Sequence, residues 1–85
     1  MSKYHIEITH SAEKELHKYP VKLQDRFSDA ILGLGDNPRP FGSKKLFNSN
    51  NYRTRIGNYR IIYVVDDDRK IVKILDLGHR KDIYR

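Results

Sequence analysis

A two-residue loop, Gly57-Asn58, separates two runs of strand-forming residues, and it constrains this chain more than any other feature. Before it, Tyr52-Arg53-Thr54-Arg55-Ile56 alternates, so Tyr52, Thr54 and Ile56 share one face of a strand and Arg53 and Arg55 the other. After it, Tyr59-Arg60-Ile61-Ile62-Tyr63-Val64-Val65 is a β-branched and aromatic run. A two-residue loop with glycine first suits a type II′ turn. It leaves one register: Ile56 opposite Tyr59, Arg55 opposite Arg60, and Arg53 opposite Ile62. Arg53, Arg55 and Arg60 then share a face, with two guanidinium groups directly opposed, while Tyr52, Tyr59 and Tyr63 occupy the other.

Like charges facing each other destabilise a sheet. A chain that only had to fold would gain nothing from them. A solvated polar face with splayed arginines is the bland account. An anion held between the arginines is the functional one, and guanidinium forks match phosphate oxygens in particular. The charge balance favours the second. Residues 1–36 carry five Lys/Arg and six Asp/Glu, whereas residues 37–85 carry twelve and five. Residues 37–65 hold no acid at all, against Arg39, Lys44, Lys45, Arg53, Arg55 and Arg60. Such a one-sided field points to a polyanion or an acidic partner.

The 85 residues predict one domain over 1–85, with a modest core at 38% apolar composition. No run approaches the apolar length of a membrane span, and the opening MSKYHIEITHSAEKEL has no secretory h-region. With no cysteine, a reducing cytoplasm is the expected compartment. Residues 3–9 alternate as a first strand. Ser11 is expected to cap a helix bearing Ala12, Leu16 and Tyr19. Pro20 opens a second helix with a stripe of Leu23, Phe27, Ala30, Ile31 and Leu34, closed by Gly35. Residues 36–51 read as a loop that Leu46 and Phe47 anchor to the core. After the hairpin, Asp66-Asp67-Asp68 reads as a solvated turn, and residues 70–77 as a last strand. The class is α+β, in the order β-α-α-β-β-β: an antiparallel sheet with a helical hairpin packed on one face. The first strand joins the sheet at an edge or beside the last strand. The other face is left open and carries the arginines.

No metal site is expected, since His5, His10, His17 and His79 lack ligand spacing. What remains suits metal-free phosphoryl chemistry. Cleaving RNA through its own 2′-OH requires deprotonation of that hydroxyl, stabilisation of charge on a crowded phosphorus, and protonation of the leaving 5′ oxygen. Arg53, Arg55 and Arg60 could supply the second requirement. His79, Arg80 and Tyr84 follow at the far end of the last strand. An imidazole serves as acid or base near neutrality. A phenol could have its pKa lowered by neighbouring cations or could stack on a base. Against these roles, His79 could bind a backbone carbonyl and Tyr84 could pack on the sheet edge.

Tyr52-Arg53-x-Arg55-x-Gly57-x-Tyr59-Arg60-Ile61-Ile62-Tyr63, followed by Gly78-His79-Arg80-x-x-x-Tyr84, resembles the RelE/ParE superfamily of toxins from toxin–antitoxin pairs. The element order and the Pro-rich exit with Lys44, Lys45 and Leu46 resemble it too, which implies the RelE-like, microbial-ribonuclease-type fold. In the RelE branch, the resemblance implies a ribosome-dependent mRNA endonuclease (mRNA interferase). Such an enzyme cuts A-site codons by metal-independent 2′-OH transesterification, needs no cofactor and inhibits translation. It implies transition-state charge on Arg60 and Arg80, phosphate placement by Arg53 and Arg55 with Lys44 and Lys45, and proton transfer by His79 or Tyr84. Some ribonuclease members carry lysine where this chain has Arg53 and Arg55, so acid–base work does not transfer to those positions. The implied partners are the ribosome, mRNA and a cognate antitoxin in a hetero-oligomer, with no membrane. The ParE branch implies instead a DNA gyrase poison without nuclease activity. A toxin-fold protein that only binds is the third reading.

Overall fold

A computed structural model describes residues 3–47 and 49–79, so Arg80 and Tyr84 lie outside the described residues. The chain runs β1 (His5–Ile8), α1 (His10–Leu16), α2 (Val21–Asp36), β2 (Lys44–Lys45), β3 (Asn51–Ile56), β4 (Tyr59–Asp66) and β5 (Ile71–His79). One sheet holds the strands in the order β1-β5-β4-β3-β2. β1 is at an edge and beside the last strand, paired parallel to β5, and every other pair is antiparallel. The sheet is therefore mostly, not wholly, antiparallel. It also gains a two-residue strand, β2, that has no periodicity to announce it. No described helix is long and apolar enough to cross a membrane.

The hairpin holds the expected register: Ile56 opposite Tyr59, Arg55 opposite Arg60, Arg53 opposite Ile62. Gly57 has φ +58, and Asn58 is not among the described residues with positive φ. That combination separates a type II′ turn from a type I′ turn.

The helices cover the face that carries the tyrosines. Phe27, Ile31 and Leu34 of α2 and Ala12 and Leu16 of α1 pack with Ile61, Tyr63, Val72, Ile74 and Leu77 of the sheet. Three helix ends differ from expectation, the first being that α1 stops at Leu16 and so leaves Tyr19 beyond the helix. Thr9, not Ser11, is the N-cap of α1, and its hydroxyl accepts the Ala12 N–H at 3.2 Å. β1 ends at Ile8, so Thr9 is the residue at the junction. α2 runs past Gly35 to Asp36 and is capped by Asn37. The Gly35 carbonyl instead accepts the N–H groups of Lys3 and Tyr4 at 3.0 and 2.9 Å, tying the start of the chain to the end of α2.

The pairing of β4 with β5 slips by one residue between Ile62 and Tyr63. Ile62 faces Asp76 and Tyr63 faces Ile74, which leaves Leu75 as the extra residue of a β-bulge. The face away from the helices is not uniformly open either: Arg60 is 5% exposed and Ile62 9%.

Candidate nucleic-acid interface

Strand alternation and register bring four cations into one row on one face, with Lys73 of β5 on the same face beside Val64 and Glu7. Lys44 of β2 pairs with Arg53 of β3. Arg53 pairs with Ile62, and Arg55 with Arg60 of β4. Paired residues share a face, so Lys44, Arg53, Arg55 and Arg60 all lie away from the helices. At one strand spacing each, the row spans about 10 Å from β2 to β4. Its members differ in exposure. Lys44 and Arg55 are exposed, Arg53 is half-buried and Arg60 is buried. A cation held in a low-dielectric setting attracts an arriving anion more strongly than one in water.

On its β5 side Arg60 pairs with Gly78, which adds no side chain to the face. The bulge puts Asp76, and not Leu75, on the Arg60 face, opposite Ile62. Its carboxylate accepts the Leu77 N–H at 2.9 Å.

Two other sequence candidates fall on the opposite face. Lys45 pairs with Tyr52. His79 pairs with Tyr59, and their rings meet edge-on at 5.5 Å and 86°. Tyr59 is edge-on to Phe27 and Tyr19 in turn, so His79 extends the aromatic cluster under the helices. The structure thus gathers Arg53, Arg55, Arg60 and Lys44, and sets Lys45 and His79 behind them.

At the other end of β4 lies a cluster the sequence reading missed. Asp67, read as part of a solvated turn, is bound through both oxygens by Arg39, at 3.1 and 2.8 Å. The Tyr4 hydroxyl donates to the same carboxylate at 2.6 Å. Arg39 Nε donates to the Tyr52 hydroxyl at 3.1 Å, with the guanidinium 5.2 Å from that ring's centre. Tyr52 stacks on Tyr63, whose hydroxyl donates to the Pro38 carbonyl at 2.7 Å. The Arg39 hydrogen bond, seconded by Tyr4, holds the Asp67 carboxyl well below the usual carboxylate range, at about 2. Asp67 in turn raises the pKa of Arg39, and burial raises that of the Tyr63 phenol. Arg39 is therefore committed to an ion pair and is not part of the cationic row. The signal for this cluster was a pair of opposite charges 28 positions apart, which no local pattern joins.

A family model described as the ParE toxin of type II toxin–antitoxin systems, parDE, matches residues 6–84. The toxin RelG of Mycobacterium tuberculosis is 33% identical over 86 residues, covering 96% of this chain and 97% of its own length. Among solved structures, the fold is similar to the toxin in a RelBE toxin–antitoxin complex of M. tuberculosis. There the TM-score is 0.83 at 28% identity, over 92% of this chain and 99% of the other. It is similar also to an archaeal RelE–RelB complex from Pyrococcus horikoshii, with TM-score 0.82 at 33% identity, over 92% and 96% of the two chains.

Proposed function

The chain belongs to the RelE/ParE superfamily of type II toxin–antitoxin toxins, and from that premise we propose that it is a ribosome-dependent endoribonuclease that cleaves mRNA in the A site. The observation that carries this reading is the row Lys44, Arg53, Arg55 and Arg60, with Arg60 buried. Opposed arginines cost stability unless an anion lies between them, and a scissile phosphate is such an anion.

In the proposed reaction the 2′ oxygen attacks the adjacent phosphorus while its proton passes to a base. The five-coordinate phosphorus gains negative charge. The bond to the 5′ oxygen then breaks, that oxygen takes up a proton, and a 2′,3′-cyclic phosphate remains. Arginines suit the middle step, because their charge is permanent and their paired N–H groups match two phosphoryl oxygens. Arg60 and Arg80 are assigned to charge stabilisation. Arg53 and Arg55, with Lys44, and with Lys45 from the other face, are assigned to holding the RNA backbone. Proton transfer is assigned to His79 or Tyr84. The chemistry asks nothing of a metal that these cations do not supply.

A cognate antitoxin completes the proposal. The mycobacterial and archaeal relatives were solved as complexes with antitoxins. An acidic, extended antitoxin segment that folds on this basic chain would neutralise the row. Purification from the native host without any small stoichiometric partner would sink that part.

Primer extension on an mRNA in a purified translation system tests the main reading. Cuts inside A-site codons that need ribosomes, and that Arg60→Ala abolishes, are the expected result. The matching family model carries the ParE name, so a supercoiling assay with DNA gyrase forms the second arm. Gyrase inhibition without RNA cleavage would replace the nuclease with a gyrase poison. Neither activity, in folded protein free of antitoxin, would leave a binding protein on a toxin fold.

A further inference from the structure

Two phenylalanines on the segment between α2 and β3 stand in solvent: Phe41 is 107% exposed and Phe47 90%. The second overturns the expectation that Phe47 anchors this loop; of the two apolar residues, only Leu46 is even half-buried. The backbone fixes the position of the first ring in a turn. The Ser43 N–H donates to the Pro40 carbonyl at 2.9 Å, closing a four-residue turn. Gly42 has φ +90, which a type II turn requires at its third residue. Phe41 is thus the outer corner of a fixed turn that leads straight into β2. On the other side of β2, the Leu46 N–H donates to the Asn51 carbonyl at 2.8 Å, and Phe47 follows. The two rings therefore flank Lys44 and Lys45 at the edge of the sheet.

The setting decides what such rings could meet. No acid occurs in residues 37–65. Lys44 is opposite Arg53 on the cationic face, and Lys45 is on the other. A recess of about 460 Å³ lined by Lys45, Leu46, Ser49 and Asn50 adjoins the strand, with hydroxyl and amide groups in its wall. Exposed flat rings beside Lys44 and the cationic row complement a polyanion that has flat apolar faces of its own, while Lys45, on the opposite face, shares a recess with Asp66, Asp67 and Asp68. A single strand of RNA has that chemistry, because its unpaired bases offer π-faces and its phosphates offer charge.

We propose that Phe41 and Phe47, with Lys44 and Lys45 between them, form a base-stacking platform for single-stranded RNA that extends the cationic row beyond the sheet edge. The proposal rests on the reading of that row as an RNA site. It adds a contact with bases where the row contacts phosphates, and so a place where nucleotide preference can be set.

The chain contains no tryptophan, so Phe47→Trp installs a single reporter at the platform. The probe is a 2′-O-methyl RNA of about ten nucleotides, within the length such surfaces engage; it lacks the attacking hydroxyl and cannot be cleaved. The control is inorganic polyphosphate of matched charge. Titrating the RNA is expected to quench the tryptophan, and polyphosphate is not. Phe41→Ala/Phe47→Ala is expected to weaken RNA binding about tenfold or more and to leave the salt dependence unchanged, since no phosphate contact is lost. Both rings are solvent-exposed, so the double variant keeps the core, and its circular dichroism spectrum checks this. Equal RNA affinity for the double variant and the parent overturns the proposal. So does equal quenching by polyphosphate, and so does a double variant that keeps RNA affinity but loses a copurifying protein. Cleavage is scored separately with ribosomes. A-site cutting with ring-independent RNA binding defeats the platform alone, and ring-dependent binding without cutting defeats the nuclease alone.

Discussion

The Thr9 hydroxyl donates to the Leu75 carbonyl at 3.1 Å while accepting the Ala12 N–H at 3.2 Å, so one side chain serves both the start of α1 and the bulge of β5. The Thr9 N–H adds a bond to the Ile74 carbonyl at 3.0 Å. The bulge has a direct consequence for the site. Strict alternation from Ile74 would put Leu77 on the cationic face and Asp76 in the core. The extra residue returns Leu77 to the core, where it is 1% exposed, and moves Asp76 to the Arg60 side.

Thr9→Val keeps the shape of the side chain and removes both hydroxyl bonds. A lost cap and a lost carbonyl partner together are expected to destabilise the fold by about 1–2 kcal/mol. Thr9→Ser should retain most of that. Urea unfolding followed by circular dichroism compares the three chains, and a valine variant as stable as the parent would contradict this account.

The legible parts of this fold were those set by local geometry. Gly57-Asn58 left one register for the hairpin, and that register alone brought Arg53, Arg55 and Arg60 to one face. The apolar stripe of α2, and Ala12 and Leu16 of α1, were readable because a helix repeats its face every three to four residues, whereas Tyr19 lies past the end of α1. What was not readable depended on partners distant in sequence. Thr9 outcompeted Ser11 as a cap because β1 ends one residue before it. Leu75 bulges where its carbonyl meets Thr9. Asp67 stays exposed but is held in an ion pair, because Arg39 and Tyr4 come to it from elsewhere in the chain. β2 is two residues long, too short for any period. Phe47 misled for a different reason: an apolar side chain in a loop is not bound to be buried.

The Asp67 cluster makes stability depend on acid. A carboxyl whose folded pKa is about 2, against an ordinary 3.8, stabilises the native state fully above the ordinary value. That contribution fades as pH falls from about 4 toward 2. Asp67→Asn is expected to flatten this part of the curve. Because the pair is roughly half exposed, at 42% and 52% for its two side chains, high salt should shrink the effect. Melting temperatures of both chains between these limits, at low and high ionic strength, provide the check.

Arg55 and Arg60 face each other across the hairpin, so function and stability should part company there. Arg55→Ala relieves a like-charge pair at an exposed position. It is expected to raise stability by up to about 1 kcal/mol while weakening RNA binding and cleavage. Arg60→Ala removes the buried cation and is expected to reduce cleavage about 100-fold or more, the scale seen when a charge-stabilising group is lost. Single-turnover cleavage on programmed ribosomes, beside unfolding curves for each variant, distinguishes the two effects. An Arg55→Ala variant that is both less stable and fully active would refute the assignment of this row to RNA.

Proton transfer divides His79 from Tyr84 by pH dependence as much as by rate. An imidazole and a phenol ordinarily titrate several pH units apart, near 6.5 and near 10, so the group that moves the proton shapes the cleavage profile. The His79 ring lies edge-on to Tyr59, within the cluster of Tyr59, Phe27 and Tyr19, which gives it a packing role whatever else it does. His79→Ala is therefore expected to lower stability by about 1 kcal/mol through the lost ring contact. If His79 also serves the reaction, its removal should erase a limb of the pH–rate profile, and Tyr84→Phe should not. If Tyr84 serves, Tyr84→Phe should lower cleavage on the order of 100-fold and His79→Ala should leave the profile's shape intact. Cleavage rates across pH on matched ribosomes read both variants at once. A profile that neither change alters would place the proton-transfer group elsewhere on the ribosome-bound complex.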